Sequence, residues 1–160
     1  MFWGGGLFGE RRLLASPGTV YDSDMISKRS RAREVALQLM YSFDLNPSLP
    51  RSQIEEFARE RLGDPELVAF ALQLYDGVRR NLGAIDTAIG KAATNWRIHR
   101  LAAVDRNALR VGAFEMLHLP ETPVNVAMNE AIELARRFGS ADSPGFVNGV
   151  LDRIRKDAGR

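Results

Sequence analysis

Four cations fall within six residues, at Lys28-Arg29-Ser30-Arg31-Ala32-Arg33, and this is the one concentration of charge in the chain. A guanidinium presents a planar fork of donors that fits phosphate oxygens and can stack on bases. The chemistry available here is therefore the holding of a polyanion. A short basic run is also what an ordinary solvated helix turn looks like, so the run alone leaves both readings open. The formal net charge is only +2, so a nucleic-acid role must rest on this cluster and not on bulk charge.

The remaining reactive side chains are sparse. There are no cysteines, which excludes a disulfide framework, a thiol nucleophile and a cysteine zinc site. His99 sits between Arg97 and Arg100 without an acid or thiol neighbour, and His118 closes a helix. Asp105 and Glu115 are too far apart on one helix to act as a pair, and both read as surface carboxylates. No Gly-rich phosphate loop, HExxH pattern or nucleophile elbow occurs. The expectation is a binding protein and not an enzyme, with no cofactor and no metal. Asn129 and Asn148 lie inside helices, where asparagine is a poor helix former, and are expected to tie helix ends together, with ligand contact as the alternative.

The elements that must position the basic run are helical throughout. From Ser27 to Asp44 no glycine or proline appears, and Ala32, Val35, Ala36, Leu39, Met40 and Phe43 form one apolar stripe. Cations at the N-terminal end of such a helix oppose its dipole, which suggests that another demand is being met. Asn46-Pro47 ends it. A second helix spans about Arg51 to Arg61 and stops at Gly63. Asp64-Pro65 then opens a long helix to about Ala93, with Gly77, Gly83 and Gly90 marking close approach or a bend. After a link at Asn95-Trp96-Arg97 and a short turn at Ile98 to Leu101, the span Val104 to Leu119 is apolar enough to lie at the centre of the fold. Thr122-Pro123 opens a helix that Gly139 stops, with Glu130, Glu133, Arg136 and Arg137 facing water. Ser143-Pro144 opens the last helix. No strand is convincing and no repeat occurs. The fold class is all-α, a compact bundle of about six to seven helices.

Residues 1–24 differ from the rest, being Gly-rich and aromatic and then interrupted by Glu10-Arg11-Arg12. They read as a structureless extension, or as the product of an upstream start codon with Met25 as the alternative start. The order of charge and apolar residues is the reverse of a signal peptide. No run is long and apolar enough for a transmembrane helix, so no membrane partner is expected.

The run from Val126 to Ala135, then Phe138-Gly139, then Phe146-Val147-Asn148-Gly149-Val150-Leu151-Asp152 resembles the signature of the NusB transcription antitermination family. Arg31-Ala32-Arg33-Glu34, Ala36-Leu37-Gln38 and Tyr41-Ser42 resemble the family's Arg-rich first helix, and Leu109-Arg110 and Phe114-Glu115-Met116-Leu117 fit its middle. The resemblance covers about residues 27–155. It implies an all-α domain over 25–160 with helical subdomains at about 27–93 and 97–156. It also implies a cytoplasmic factor that binds the boxA element of nascent ribosomal RNA, a single strand. The implied partners are the small-subunit ribosomal protein NusE and RNA polymerase with other Nus factors.

Carried over by position, the resemblance places RNA contacts at Lys28, Arg29, Arg31 and Arg33, with Asp142, Ser143 and Phe146 near the same surface. It places Tyr41 and Asp105 on the face toward the ribosomal-protein partner. The chain departs from the family at Ser30 and at Pro144-Gly145, which bears on affinity. Some relatives form dimers, so a homodimer that hides the arginines is among the implied states. The rival readings are an RNA-modifying enzyme, which would need a cofactor domain, and a purely structural interaction module. Replacing Arg29, Arg31 and Arg33 by Ala is expected to leave the fold intact and weaken RNA binding.

Overall fold

The computed structural model describes residues 23–160 and, from Lys28 onward, their side chains. The expected structureless extension falls outside the described residues for positions 1–22. The seven helices among the described residues are α1 (Ser23–Leu45), α2 (Arg51–Leu62), α3 (Pro65–Arg80), α4 (Leu82–Ala92), α5 (Ala103–His118), α6 (Val124–Phe138) and α7 (Ser143–Asp157), with a 3-10 turn at Ile98–Arg100 before α5. No strand occurs among the described residues, and the all-α class stands.

Several boundaries follow from the local chemistry expected of them. Gly63 takes φ 73°, a left-handed conformation that glycine adopts without steric cost, and its N–H closes α2 on the Arg59 carbonyl at 2.9 Å. Asp64 accepts from the Glu66 N–H at 2.9 Å, with Pro65 opening α3. The helix expected to run on to about Ala93 breaks instead at Asn81, whose φ is −113° and ψ 19°. The Asn81 side-chain amide donates to the Gly77 carbonyl at 2.8 Å, a local bond that competes with the helical ladder. Of the three glycines flagged in this region, Gly77 marks a close approach. A Cβ built there would lie 2.0 Å from Phe114 Cζ, whereas Gly83 and Gly90 face open space.

The centre is a pair of helices. α5 is buried continuously from Asn107 to Met116, as its apolar sequence requires. α1 starts at Ser23, four residues before the expected start, and is buried from Ala32 to Met40 on more than the expected single stripe. Its apolar stripe joins the main core. Leu37, on another face, enters a satellite cluster with Ala108, Leu134 and Phe138. α1 and α5 run antiparallel, since Arg33 pairs with Glu115 near one end and Asp44 with Arg106 near the other. Small residues let α6 approach α5 closely: a Cβ on Gly112 would lie 2.6 Å from the Ala131 Cβ.

Two caps differ from expectation. α6 begins after Pro123 without a side-chain cap, and Thr122 is buried. α7 begins at Ser143, whose buried hydroxyl accepts from the Ser140 N–H at 3.0 Å and so ties the loop back.

Candidate nucleic-acid interface

The basic run divides by depth. Lys28 and Arg29 are exposed, and the Arg29 guanidinium lies 4.1 Å from the centre of the Phe70 ring. Such a cation–π contact fixes the side chain while leaving its edge available to an anion. Arg31 is half-buried, and its Nη2 donates to the Arg61 carbonyl at the end of α2, at 3.2 Å. Because α1 starts at Ser23, the run lies beyond the first turn, where the dipole effect has fallen off. The expected dipole conflict is therefore removed.

Arg33 does not project with the others, which corrects the expectation that it lies on the surface. It is 5% exposed. Its Nε and Nη2 donate to the two oxygens of Glu115 at 2.8 and 2.5 Å, and its Nη1 to Glu130 at 3.0 Å. Burial works to depress the Arg33 pKa, but the hydrogen bonds and charges of Glu115 and Glu130 outweigh it and raise it. Glu115 is thus a buried partner and not a surface carboxylate. Glu130, expected to face water, also accepts from the Ser30 hydroxyl at 2.5 Å.

Arg61 joins this end of the molecule and was missed in the sequence. It lies where α2 meets α1, with its guanidinium 4.8 Å from the centre of the Phe57 ring. Two arginines in the last turn of α2, Arg59 and Arg61, were the available signal.

A second group gathers at the other end of α1. Asp105, Asp142 and Phe146 line one hollow of about 230 Å³ together with Trp96, Arg100, Leu101 and Ala102. Asp105 had been placed with a protein partner and the other two with RNA; the fold brings them together. Ser143, expected beside them, is 1% exposed and holds the loop instead of meeting the surface. About 22 Å of helix rise separates Arg29 from Asp44, which bonds Arg106 next to Asp105. Half-buried Tyr41 lies between the two groups and packs on the satellite cluster.

Below the hollow, Asp44 accepts from Arg106 Nη2, Asn107 Nδ2 and Arg110 Nη1, each at 2.9 Å. Arg110 forks onto both oxygens of Asp86, also at 2.9 Å. Burial would raise the Asp44 pKa, but its hydrogen bonds from Asn107, Arg110 and Arg106 prevail and hold it below the ordinary carboxylate value. This network joins α1, α4 and the start of α5, and Arg106 Nη1 also donates at 2.9 Å to the carbonyl of Leu101, a residue lining the hollow.

The other candidates carry no catalytic arrangement. His99 is exposed, and His118 stacks on Phe114 with ring centres 5.2 Å apart. Asn129 and Asn148 are exposed on α6 and α7, not tying helix ends together as expected. Among the described residues no group of three or more His, Asp or Glu could hold a metal ion, and no helix is long and apolar enough to cross a membrane.

Comparison with known proteins gives a consistent result. The model of the NusB family matches residues 30–156. The transcription antitermination protein NusB of Sorangium cellulosum (strain So ce56) is 49% identical over 132 residues, covering 82% of this chain and 94% of that protein. NusB from T. maritima superposes with a TM-score of 0.72 at 33% identity, covering 81% of this chain and 91% of that one. A crystal structure of the antitermination factors NusB and NusE in complex with double-stranded RNA superposes with a TM-score of 0.74 at 30% identity, covering 83% of this chain and 99% of that one.

Proposed function

The chain belongs to the NusB family, and on that premise we propose that it is a transcription antitermination factor that binds RNA together with a NusE-type ribosomal protein. The observation that carries the reading is the family match over residues 30–156, which takes in α1 from Ser30 onward and all of α2 to α6. The relative solved with NusE and RNA supports both partners. In the finer form of the proposal, the RNA is a single strand of boxA type in a nascent ribosomal transcript. The complex joins transcribing RNA polymerase in the cytoplasm.

Exposed Lys28 and Arg29 meet phosphates at one end, with Arg31 and Arg61 behind them. A strand leaving that end reaches Asp142 and Phe146 only after crossing about 22 Å. Tyr41 and its satellite cluster lie between these ends, on the face assigned to the ribosomal protein. Such an arrangement makes protein and RNA neighbours, so each favours binding of the other through contacts between them. The two helical subdomains, about 27–93 and 97–156, would then share one ligand.

Titration of a fluorescent boxA RNA with this protein, with and without purified NusE, tests the reading. Tighter RNA binding in the presence of NusE is expected. Failure to bind RNA under either condition would leave only the structural-module reading.

A further inference from the structure

Phe70 is an apolar ring on α3, 5% exposed, that meets two guanidiniums of α1. Arg29 Cζ lies 4.1 Å from the ring centre and Arg33 Cζ 5.2 Å, both inside the range of about 6 Å over which a ring face attracts a cation. The two arginines are four residues apart, so α1 places them one turn apart on the same face and one ring reaches both.

Two like charges at one ring repel unless one of them is met from elsewhere. Glu115 and Glu130 meet Arg33. Its Nε, Nη1 and Nη2 all donate to these carboxylates, so the buried guanidinium is held in place beside the ring. Phe70 itself belongs to the main core. The ring is therefore a fixed object, and exposed Arg29 is the partner that it orients.

The corner between α2 and α3 builds this arrangement. Gly63 turns the chain at φ 73°, Pro65 opens α3, and Phe70 follows in its second turn. Arg61, two residues before the turn, accepts from Arg31 Nη2 at its carbonyl. One corner thus anchors two arginines of α1, Arg31 by its backbone and Arg29 by its ring. A long side chain left free must be ordered when it grips a phosphate, and that ordering subtracts from affinity. A guanidinium already laid against a ring is ordered in the folded protein, and its N–H edge remains available.

We propose that Phe70 is a positioning residue for RNA binding, whose ring presets the Arg29 guanidinium while the buried group of Arg33, Glu115 and Glu130 fixes the ring's surroundings. This rests on the RNA-binding reading above and adds to it a core residue that touches no RNA. It also makes position 29 a site for arginine and not lysine, because a planar guanidinium stacks on a ring and an ammonium is more strongly hydrated.

The test measures the full chain against the fluorescent boxA RNA over a salt series. Phe70 is replaced by Leu and, separately, by pentafluorophenylalanine, which keeps nearly the same size but reverses the ring's quadrupole. The fluorinated chain should bind about threefold to tenfold more weakly, as expected when one long side chain must be ordered on binding. Its salt slope and urea midpoint should stay close to those of the parent. Arg29→Ala differs, because it removes a charge and should reduce the slope by about 0.7. Arg29→Lys should weaken binding in the parent and have little further effect in the fluorinated chain. The side-chain N–H resonances of Arg29 should lie upfield in the parent, under the ring current, and move downfield in Phe70→Leu.

A fluorinated chain that binds as tightly as the parent overturns the positioning role while RNA binding stands. An Arg29→Lys effect of equal size in both backgrounds does the same. Weaker binding that tracks a lowered urea midpoint, with the Arg29 resonances unmoved, also overturns it and leaves Phe70 a core residue only. Absence of any RNA binding by the unsubstituted chain removes the underlying reading as well.

Discussion

Arg33 and Glu115 stand 82 residues apart in sequence and form a two-pronged buried pair, with Nε to Oε1 at 2.8 Å and Nη2 to Oε2 at 2.5 Å. The pair locks α1 to α5, the two central helices. It also changes the role of one arginine in a run of four cations.

Removing one member leaves the other charged and buried. Glu115→Ala is expected to destabilise the fold by less than the about 3–5 kcal/mol of a fully orphaned buried ion, because Arg33 keeps Glu130 at 3.0 Å. Arg33→Ala should cost the full about 3–5 kcal/mol, because it leaves Glu115, 1% exposed, without its partner. Urea unfolding followed by circular dichroism measures both. The triple replacement of Arg29, Arg31 and Arg33 therefore cannot be the fold-neutral test that the sequence pattern led one to expect. A triple variant as stable as the parent would overturn the buried-pair argument.

Lys28 and Arg29 behave differently because both are exposed. The double variant Lys28→Ala, Arg29→Ala should unfold within about 1 kcal/mol of the parent, as surface substitutions usually do. Its RNA affinity should fall at low salt. For a single strand, each phosphate no longer neutralised should reduce the slope of log affinity against log salt by about 0.7. An unchanged slope in a filter-binding titration would remove these two residues from the interface.

The contrast between these variants shows what the sequence carried. Local signals were legible. Gly63 and Asp64-Pro65 marked a helix stop and start, and the apolar run of α5 marked the centre. The roles of Arg33 and Glu115 were not, since Arg33 is buried by partners 82 and 97 residues away. Charge looks the same in a sequence whether solvent or a buried carboxylate meets it. Asn81 broke α3 from α4 through one side-chain bond to Gly77, a choice that periodicity cannot foresee. Within the candidate site, Asp142 and Phe146 are put forward by resemblance alone, while Trp96 reads in the sequence only as a link residue. Its exposure, which singles it out, belongs to the folded chain.

Asp44 should govern part of the acid limb of stability. Its folded pKa lies below the ordinary carboxylate value, despite burial, because Asn107, Arg110 and Arg106 donate to it. A depressed folded pKa contributes stability above the unfolded value, about 3.9, and that contribution is lost as pH falls through the folded pKa. Stability should therefore decline below about pH 4. Asp44→Asn should be less stable near neutrality and should lose less on acidification. Urea midpoints measured across this range check both statements, and parallel acid limbs for parent and variant would refute the second.

Glycines of α3 and α4 give the sharpest packing prediction, because the same substitution should have opposite signs at two sites. At Gly77 a Cβ would lie 2.0 Å from Phe114 Cζ and 2.4 Å from Cε1, so the ring must move or α3 must retreat from α5. Overpacking of this kind costs about 1–3 kcal/mol. Gly90, inside α4, is exposed, and a Cβ there meets nothing within 4 Å. Gly90→Ala should therefore stabilise by about 0.5–1 kcal/mol, chiefly by reducing the freedom of the unfolded chain. Pairing Gly77→Ala with Phe114→Leu separates the clash from any backbone effect. Relief of the ring should make the double variant less destabilised than the sum of its parts, by about 0.5 kcal/mol or more. Strict additivity would mean that Gly77 is needed for its backbone and not for the approach of Phe114.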